Sequence, residues 1–376
     1  MEERELKNSV SPPISLFLLG CGHRAMLFHL GAIWRLNELG LLRKIVRVSS
    51  VSGGSIVAGR MAAKWTELDF SENGVAANFE QLIADPCCLA SVDLESWRGI
   101  AKSMSSLWVN GRPLAEYQQL TNGASLANLR EGPEFIFQAT NLQTGGVWRF
   151  CKKFVGDNHV GTIHGPDLPL AKAITASASL PPRLPFALEP ALIGPWSAPP
   201  LPEFANPELR RKVVVCDGSL SWDHDFEVLS KDHTLLVSDA GAILRSEPSP
   251  GLHWLNSIAN AVTLSDFHIY ERRKREWSAA SVKEGFRGAY WDMAKDLRTY
   301  GAKNTLDCPV ARTKALSQLP TEFRSFDGST QKDLIDWGYA SCDAAVRGSL
   351  NLTDVNTPDA SPYGSYYKLR AGTAAA

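Results

Sequence analysis

Ile45-Val46-Arg47-Val48-Ser49-Ser50-Val51-Ser52-Gly53-Gly54-Ser55 is the stretch from which the rest of the chain can be read. Ile45, Val46 and Val48 are β-branched and bounded by polar residues, the pattern of a short buried strand, and Ile56 to Trp65 continues as a helix. Ser52 therefore stands at a strand-to-helix corner. Small neighbours at Ser50, Gly53 and Gly54 let the backbone turn sharply and let another group approach closely, as the nucleophile elbow of a serine hydrolase requires. The elbow pattern is G-x-S-x-G, and Ser50 occupies its first glycine position. Taken alone, the stretch reads equally well as an ordinary glycine-rich turn.

Upstream, Ile14 to Leu19 reads as a strand that runs through Gly20-Cys21-Gly22-His23-Arg24-Ala25 into an apolar helix from about Met26. A loop that opens a helix directs unpaired N–H groups and the positive end of the helix dipole at one spot, so it can hold an anion. A dinucleotide or phosphate site is a competing reading, but the chain has no G-x-G-x-x-G here, and no Walker lysine with its Ser/Thr partner. Downstream, Val213 to Cys216 reads as a buried strand ending in Asp217-Gly218-Ser219, a carboxylate at a strand end beside a permissive glycine.

In this order, a glycine-rich loop with a basic residue, an elbow serine and an Asp-Gly pair, the sequence resembles the patatin-like phospholipases. Ala173-Ile174-Thr175-Ala176-Ser177-Ala178-Ser179-Leu180-Pro181 looks like that family's small-residue helix ending in proline, and Glu134 to Gly145 like its central hairpin. The resemblance covers roughly residues 14 to 240. It implies an α/β fold of three layers: a mainly parallel central sheet, helices on both faces, and a helical C-terminal region. It also implies a lipid acyl hydrolase of phospholipase A type, with Ser52 as nucleophile and Asp217 as its base. Gly20, Cys21, Gly22 and Gly53 then form the oxyanion hole, and Arg24 supports the loop or a lipid phosphate. Cys21 and Ala25 stand where the family usually has glycine, and Ser50 and Ser219 replace other small positions. A backbone N–H needs no glycine unless φ is positive, so these departures are tolerable only where φ is negative.

Composition bounds the reading further. With 376 residues and 44% apolar content the chain can bury a large core. We expect one hydrolase domain over residues 14–350, its catalytic core about 14–240 and its helical part about 250–350, between a flexible N-terminus (1–13) and a disordered tail (351–376). A net charge of −1 gives no global attraction to nucleic acid or to an anionic membrane, so no nucleic-acid partner is expected and any lipid contact is local and transient. Seven scattered cysteines, Cys87-Cys88 among them, fit reduced thiols in a cytosol. No C-x-x-C spacing suggests a metal, and no cofactor is expected. The charged N-terminus is neither a signal peptide nor a span, which points to a cytoplasmic protein peripheral to the membrane's inner face.

Nine prolines between Pro181 and Pro207, interleaved with apolar residues, exclude helix and central strand there and favour a packed loop over a lid. The charge run Glu271 to Glu276 reads as a solvated helix face. Residues from Phe79 to Leu107 suggest helices over the sheet, and Leu334 to Val346 a last amphipathic helix. His224, His233 and His253 follow Asp217, so a Ser-His-Asp esterase of another fold remains an alternative. So does a bacterial defence effector that degrades membranes when a small-molecule activator binds, since the family includes such proteins. Finally, the thiol of Cys21 is expected either to have a lowered pKa at the helix start or to be a small apolar filler.

Overall fold

The computed structural model describes residues 12–89, 111–180, 185–221, 231–241, 244, 254–283, 285–321, 325–352 and 357–368. Its centre is a run of parallel strands. β1 (Ile14–Leu19) lies between β2 (Ile45–Val51) and β9 (Thr234–Asp239), with β10 (Gly288–Asp292) beyond β9 and β3 (Glu134–Asn141) beyond β2. All six residues of β1 are buried, as expected of a strand covered on both faces whose sequence is apolar apart from Ser15. On one face Leu16 and Leu18 join the main core with α1 (Gly22–Glu38) and α2 (Gly53–Lys64); on the other Phe17 and Leu19 pack with Val51, Leu235, Val237 and Tyr290.

From β3 the sheet continues antiparallel through β4 (Val147–Phe150), β5 (Phe154–Asp157) and β6 (Gly161–His164). The hairpin expected from Glu134 to Gly145 is thus present, with β3 and β4 on either side of Thr144-Gly145-Gly146. α3 (Leu170–Ser177) follows, then β7 (Phe186–Leu188) and β8 (Val213–Asp217). The proline-rich segment does form a strand, but at an edge: β7 pairs only with β8, and Phe186, Leu188 and Ile193 are buried while Leu192 and Leu201 are exposed. Pro181 to Leu184 lie outside the described residues, as do Trp97, Ile100 and Leu107.

The register places β8 against β3 where β2 leaves off. Val51, the last residue of β2, is opposite Gln138, and Asp217, the last residue of β8, is opposite Ala139. Ala139 also pairs with Trp148 of β4 on its other side, so β2 and β8 share one edge of β3 and meet end to end. This brings Ser52 and Asp217 together from 165 residues apart.

In the helical C-terminal region, α4 (Trp254–Ser281) is pinned to the end of β9. Arg273 donates to both oxygens of Asp239 at 2.9 and 3.0 Å, and the Tyr290 hydroxyl donates to the same carboxylate at 2.8 Å. The charge run on this helix is therefore split: Arg272 pairs with Glu276 at the surface, whereas Arg273 is buried. α5 (Gly328–Ser349) packs against α1, where Arg35 is buried in an ion pair with Asp343 at 2.8 Å.

Part of the expected disordered tail folds back. Residues 357–368 lie on α5, where the buried carboxylate of Asp336 accepts the amides of Tyr363 and Ser365 at 2.9 and 2.8 Å, and Tyr366 is fully buried. The segment ends in β12 (Tyr367–Lys368), antiparallel to β11 (Leu306–Asp307). Its Ser, Pro and Gly content resembles that of a disordered tail; two backbone bonds to one buried acid and one anchored aromatic suffice to order it. All seven cysteines are free thiols, and among the described residues no helix is long and apolar enough to cross a membrane.

Candidate active site

Ser52 occupies φ 51°, ψ −117°, a region that a residue with a side chain enters only under strain, of order 1–3 kcal/mol. It is also the residue that opens α2. A serine in that position ordinarily turns its hydroxyl onto the helix's free amides. Here it does not: Oγ makes no cap and has no hydrogen-bond partner, although the residue is fully buried. The conformation thus frees the oxygen for chemistry.

Three further serines hold this backbone. Ser52 N–H donates to Ser177 Oγ at 3.0 Å, Ser177 Oγ donates to the Gln138 carbonyl at 2.6 Å, and Ser55 Oγ lies 2.8 Å from Ser177 Oγ and 3.0 Å from Ser50 Oγ. Ser50 thus uses its hydroxyl in this network. The sequence reading named neither Ser55 nor Ser177 as part of the site; the only signal was the small-residue helix that contains Ser177. Ser177→Ala orphans the Ser52 amide inside the protein, and is expected to lower stability by about 1–3 kcal/mol. A shift of the urea midpoint checks this, and an unchanged midpoint shows that the amide finds another acceptor.

Asp217 is fully buried. Its amide donates to the Ser179 carbonyl at 3.1 Å and its carbonyl accepts from Thr140 Oγ1 at 2.9 Å, which fixes the strand end. Its carboxylate is asymmetric. Oδ1 accepts from the Ser219 amide at 2.9 Å and faces Cys21 Sγ at 3.8 Å, whereas Oδ2 has no partner. Burial raises the pKa from an ordinary 3.8 to about 6, while the nearby Ser52 hydroxyl and the Ser219 amide pull it down. A carboxylate tuned to that range remains ionised at neutral pH and takes up a proton far more readily than an exposed one.

The glycine-rich loop faces the same point. Gly20 and Gly22 adopt φ 135° and 76°, and a Cβ on Gly20 would lie 2.5 Å from the Ala240 carbonyl, so both positions need glycine. Cys21, at φ −100°, does not, and Ala25, Ser50 and Ser219 also avoid positive φ. Every departure from the family pattern therefore falls where a side chain is permitted. α1 begins with no side-chain cap and no acidic residue in its first turn.

Of the expected loop roles, that of Gly53 is corrected and that of Arg24 narrows to the first of its two alternatives, support of the loop. The Gly53 amide donates to the Gly20 carbonyl at 3.1 Å, so it ties the elbow to the loop and is not a free oxyanion donor. Arg24 is 1% exposed, and its guanidinium donates to the carbonyls of Ser317, Leu319, Ala240 and Gly241 at 2.8 to 2.9 Å. It braces the loop against two neighbouring segments, with no face left for a lipid phosphate. Of the two readings of Cys21, the small buried filler fits and the lowered pKa does not. The thiol is fully buried beside Asp217, and both effects push its pKa well above the ordinary value.

The histidine alternative loses its described candidate. His233 hydrogen-bonds Ser15 at 2.7 Å, next to the start of β1 and so at the opposite end of the strands from Ser52. His224 and His253 lie outside the described residues. His29 is buried against Ser238, and burial lowers its pKa to about 3, which leaves it a neutral packing group.

The sequence model of the patatin-like phospholipase family matches residues 16–221, more than half of the 376-residue chain. The chain belongs to the patatin-like phospholipase family. Solved structures similar to this patatin-like protein include human GIVD cytosolic phospholipase A2, with a TM-score of 0.48 and 12% identity over 90% of this chain and 60% of that one. The human enzyme in complex with methyl gamma-linolenyl fluorophosphonate gives 0.49 and 11%, over 90% and 58%. VipD from Legionella pneumophila gives 0.42 and 12%, over 91% and 68%. The patatin-like chain thus spans about three fifths of the human protein's length. No curated protein sequence matches it.

Proposed function

We propose that this patatin-like protein is a lipid acyl hydrolase of phospholipase A type, working through a Ser52–Asp217 dyad. One observation carries the reading: β2 and β8 meet end to end on β3, and their last turns present a hydroxyl and a carboxylate oxygen, Ser52 Oγ and Asp217 Oδ2, both buried and without other partners.

In the proposed reaction Asp217 Oδ2 takes the Ser52 proton as Oγ attacks the ester carbonyl carbon. The carbonyl π electrons move to oxygen, where the amides of Cys21 and Gly22 hold the developing charge. Collapse of the tetrahedral species breaks the ester C–O bond, and Asp217 returns the proton to the leaving alkoxide. Water, deprotonated by the same carboxylate, then attacks the acyl-serine; collapse breaks the acyl C–Oγ bond, Asp217 returns the proton to Ser52 Oγ, and the fatty acid is released. A carboxylate is a weaker base than imidazole, so the oxyanion donors and the dry surroundings of Asp217 carry more of the barrier lowering than in a histidine triad.

Ser52 and Asp217 are fully buried, so an ester reaches them only when a covering element moves. A lipid surface is the proposed trigger, with the protein peripheral to a cytoplasmic membrane face. The same burial favours a second reading, in which a small-molecule activator opens the site. Both are tested by incubating the purified protein with phosphatidylcholine–phosphatidylglycerol vesicles, alone and with a panel of cyclic nucleotides, and following free fatty acid by mass spectrometry. Release from vesicles alone is the expected result. Release only after nucleotide addition establishes the second reading, and no release in either case defeats the hydrolase assignment.

A further inference from the structure

One face of α4 reaches both sides of the site. Asp266, Tyr270 and Arg273 recur at the spacing of a single helix face, and all three are buried. The helix packs against Gly218–Leu220, the turn that follows Asp217, and the same face seats Arg273 on the Asp239 carboxylate at the end of β9. A buried guanidinium needs such a partner, and its planar fork fixes the plane of the carboxylate that it meets. Each oxygen of Asp239 also takes a second donor: Oδ2 the Tyr290 hydroxyl at 2.8 Å, and Oδ1 the Gly241 amide at 2.9 Å. The bond to Gly241 leads to the glycine-rich loop.

Gly241 is held from two directions. Its amide donates to Asp239 Oδ1, while its carbonyl and that of Ala240 both accept from Arg24 Nη2 at 2.9 Å. Ala240 donates its own amide to the Leu19 carbonyl, and a Cβ on Gly20 would lie 2.5 Å from the Ala240 carbonyl. Residues 240 and 241 are therefore the backbone surface on which the Gly20 to Arg24 loop is laid. Neither brings a polar side chain of its own to fix its place, so the carboxylate of Asp239 does so.

We propose that Arg273 and Asp239 are positioning residues for the oxyanion loop: the Arg273 fork orients the Asp239 carboxylate, Asp239 Oδ1 orients the Gly241 peptide, and Ala240 and Gly241 hold Gly20 and Arg24. This rests on the hydrolase reading above, in which the Cys21 and Gly22 amides of that loop receive the oxyanion, and deepens it by naming what sets the loop. Neither residue need touch substrate. Oxyanion donors act only from fixed positions, and a displacement of about 1 Å can cost about a hundredfold in rate.

Three variants test the chain of contacts. Arg273→Lys keeps a positive charge beside Asp239 but replaces the fork with a single ammonium, so the carboxylate gains freedom to turn away from Gly241. Gly241→Ala reaches the same contact from the other side, since its Cβ would lie 2.9 Å from Arg273 Nη2 and 3.0 Å from Asp239 Oδ1. Tyr290→Phe is the control, because it removes a donor from Oδ2 and leaves Oδ1 as it is. Initial rates on p-nitrophenyl butanoate, with phosphatidylcholine–phosphatidylglycerol vesicles present, give kcat and KM separately. An alkyl trifluoromethyl ketone, which adds to Ser52 Oγ and places its oxygen in the oxyanion hole, gives the affinity for a tetrahedral adduct. Hydrogen exchange followed by mass spectrometry reads the peptide that carries Gly20 to Ala25.

Arg273→Lys and Gly241→Ala are expected to lower kcat by about tenfold to a hundredfold with KM unchanged, to weaken the ketone by the same factor, and to exchange the loop amides faster. Tyr290→Phe is expected to melt at a lower temperature yet to keep kcat, ketone affinity and loop exchange. Thermal unfolding identifies the folded variants, and if Arg273→Lys does not fold, Gly241→Ala decides. Folded variants with wild-type kcat, ketone affinity and loop exchange overturn the inference and leave the dyad reading intact. Equal losses in Tyr290→Phe overturn it too, because they show a general loosening of the packing around Asp239. Full turnover by Ser52→Ala in the same assay overturns the dyad reading itself.

Discussion

Ser52→Ala is expected to reduce ester hydrolysis to background, a loss of about 10⁴-fold or more, with the melting temperature changed by no more than a few degrees. The loss is large because no other described residue presents a nucleophile at the end of β2 beside a carboxylate. The fold survives because Ser52 Oγ makes no hydrogen bond, so its removal breaks none. What holds the elbow is the Ser52 amide on Ser177 and the Gly53 amide on Gly20, and an alanine keeps both. A second variant sharpens the test. Ser52→Gly is equally inactive, yet it relieves a side chain held at φ 51° and is expected to be more stable than Ser52→Ala by about 1 kcal/mol. Equal stability of the two variants indicates that the elbow is unstrained, and wild-type turnover in either excludes Ser52 as the nucleophile.

How much of this was legible in the sequence depends on the range of the interaction. The strand-to-helix corner at Ser52, the glycine loop into α1 and the acid ending β8 are written in local patterns of β-branched runs, small residues and turn chemistry, and the structure has each of them. The parallel arrangement follows from alternating strands and helices over the first 66 residues. The handover of β3's edge from β2 to β8 is not local: it depends on pairing between residues 74 to 78 positions apart, which no periodicity encodes. The same holds for Ser177, which reaches the elbow from 125 residues away, and for Arg24, whose acceptors are carbonyls and leave no mark on side-chain identity. Gly53 was misassigned because G-x-S-x-G does not say where the amide after the serine points. Of the two readings of Cys21, the lowered pKa weighs the helix dipole without Asp217 beside it, and in a buried site the nearby carboxylate and the loss of water dominate, which leaves the filler role.

Asp217→Asn is expected to separate activity from stability in opposite directions. The amide keeps an acceptor at Oδ1 for the Ser219 amide and for Cys21, so the strand end and the loop retain their contacts, but Oδ2 becomes a group that accepts no proton. Hydrolysis is expected to fall by about 10³- to 10⁴-fold, because Ser52 then attacks without a base. Stability should move the other way. In the folded protein the pKa of Asp217 is raised from 3.8 to about 6, so between those values the native state holds a proton that the unfolded chain has released. Wild-type stability from this group is therefore fully present below about pH 4 and declines as pH rises through about 6, where burying the charge costs up to about 3 kcal/mol. Asparagine carries no such charge. Urea denaturation is thus expected to show Asp217→Asn more stable than wild type at pH 7.5, with the advantage shrinking as pH falls toward 4. The same ionisation should govern the wild-type rate, which rises with pH through about 6 and levels off above it. If the variant is less stable than wild type at pH 7.5, or its advantage does not change with pH, Asp217 is not the buried, proton-accepting carboxylate on which the mechanism depends.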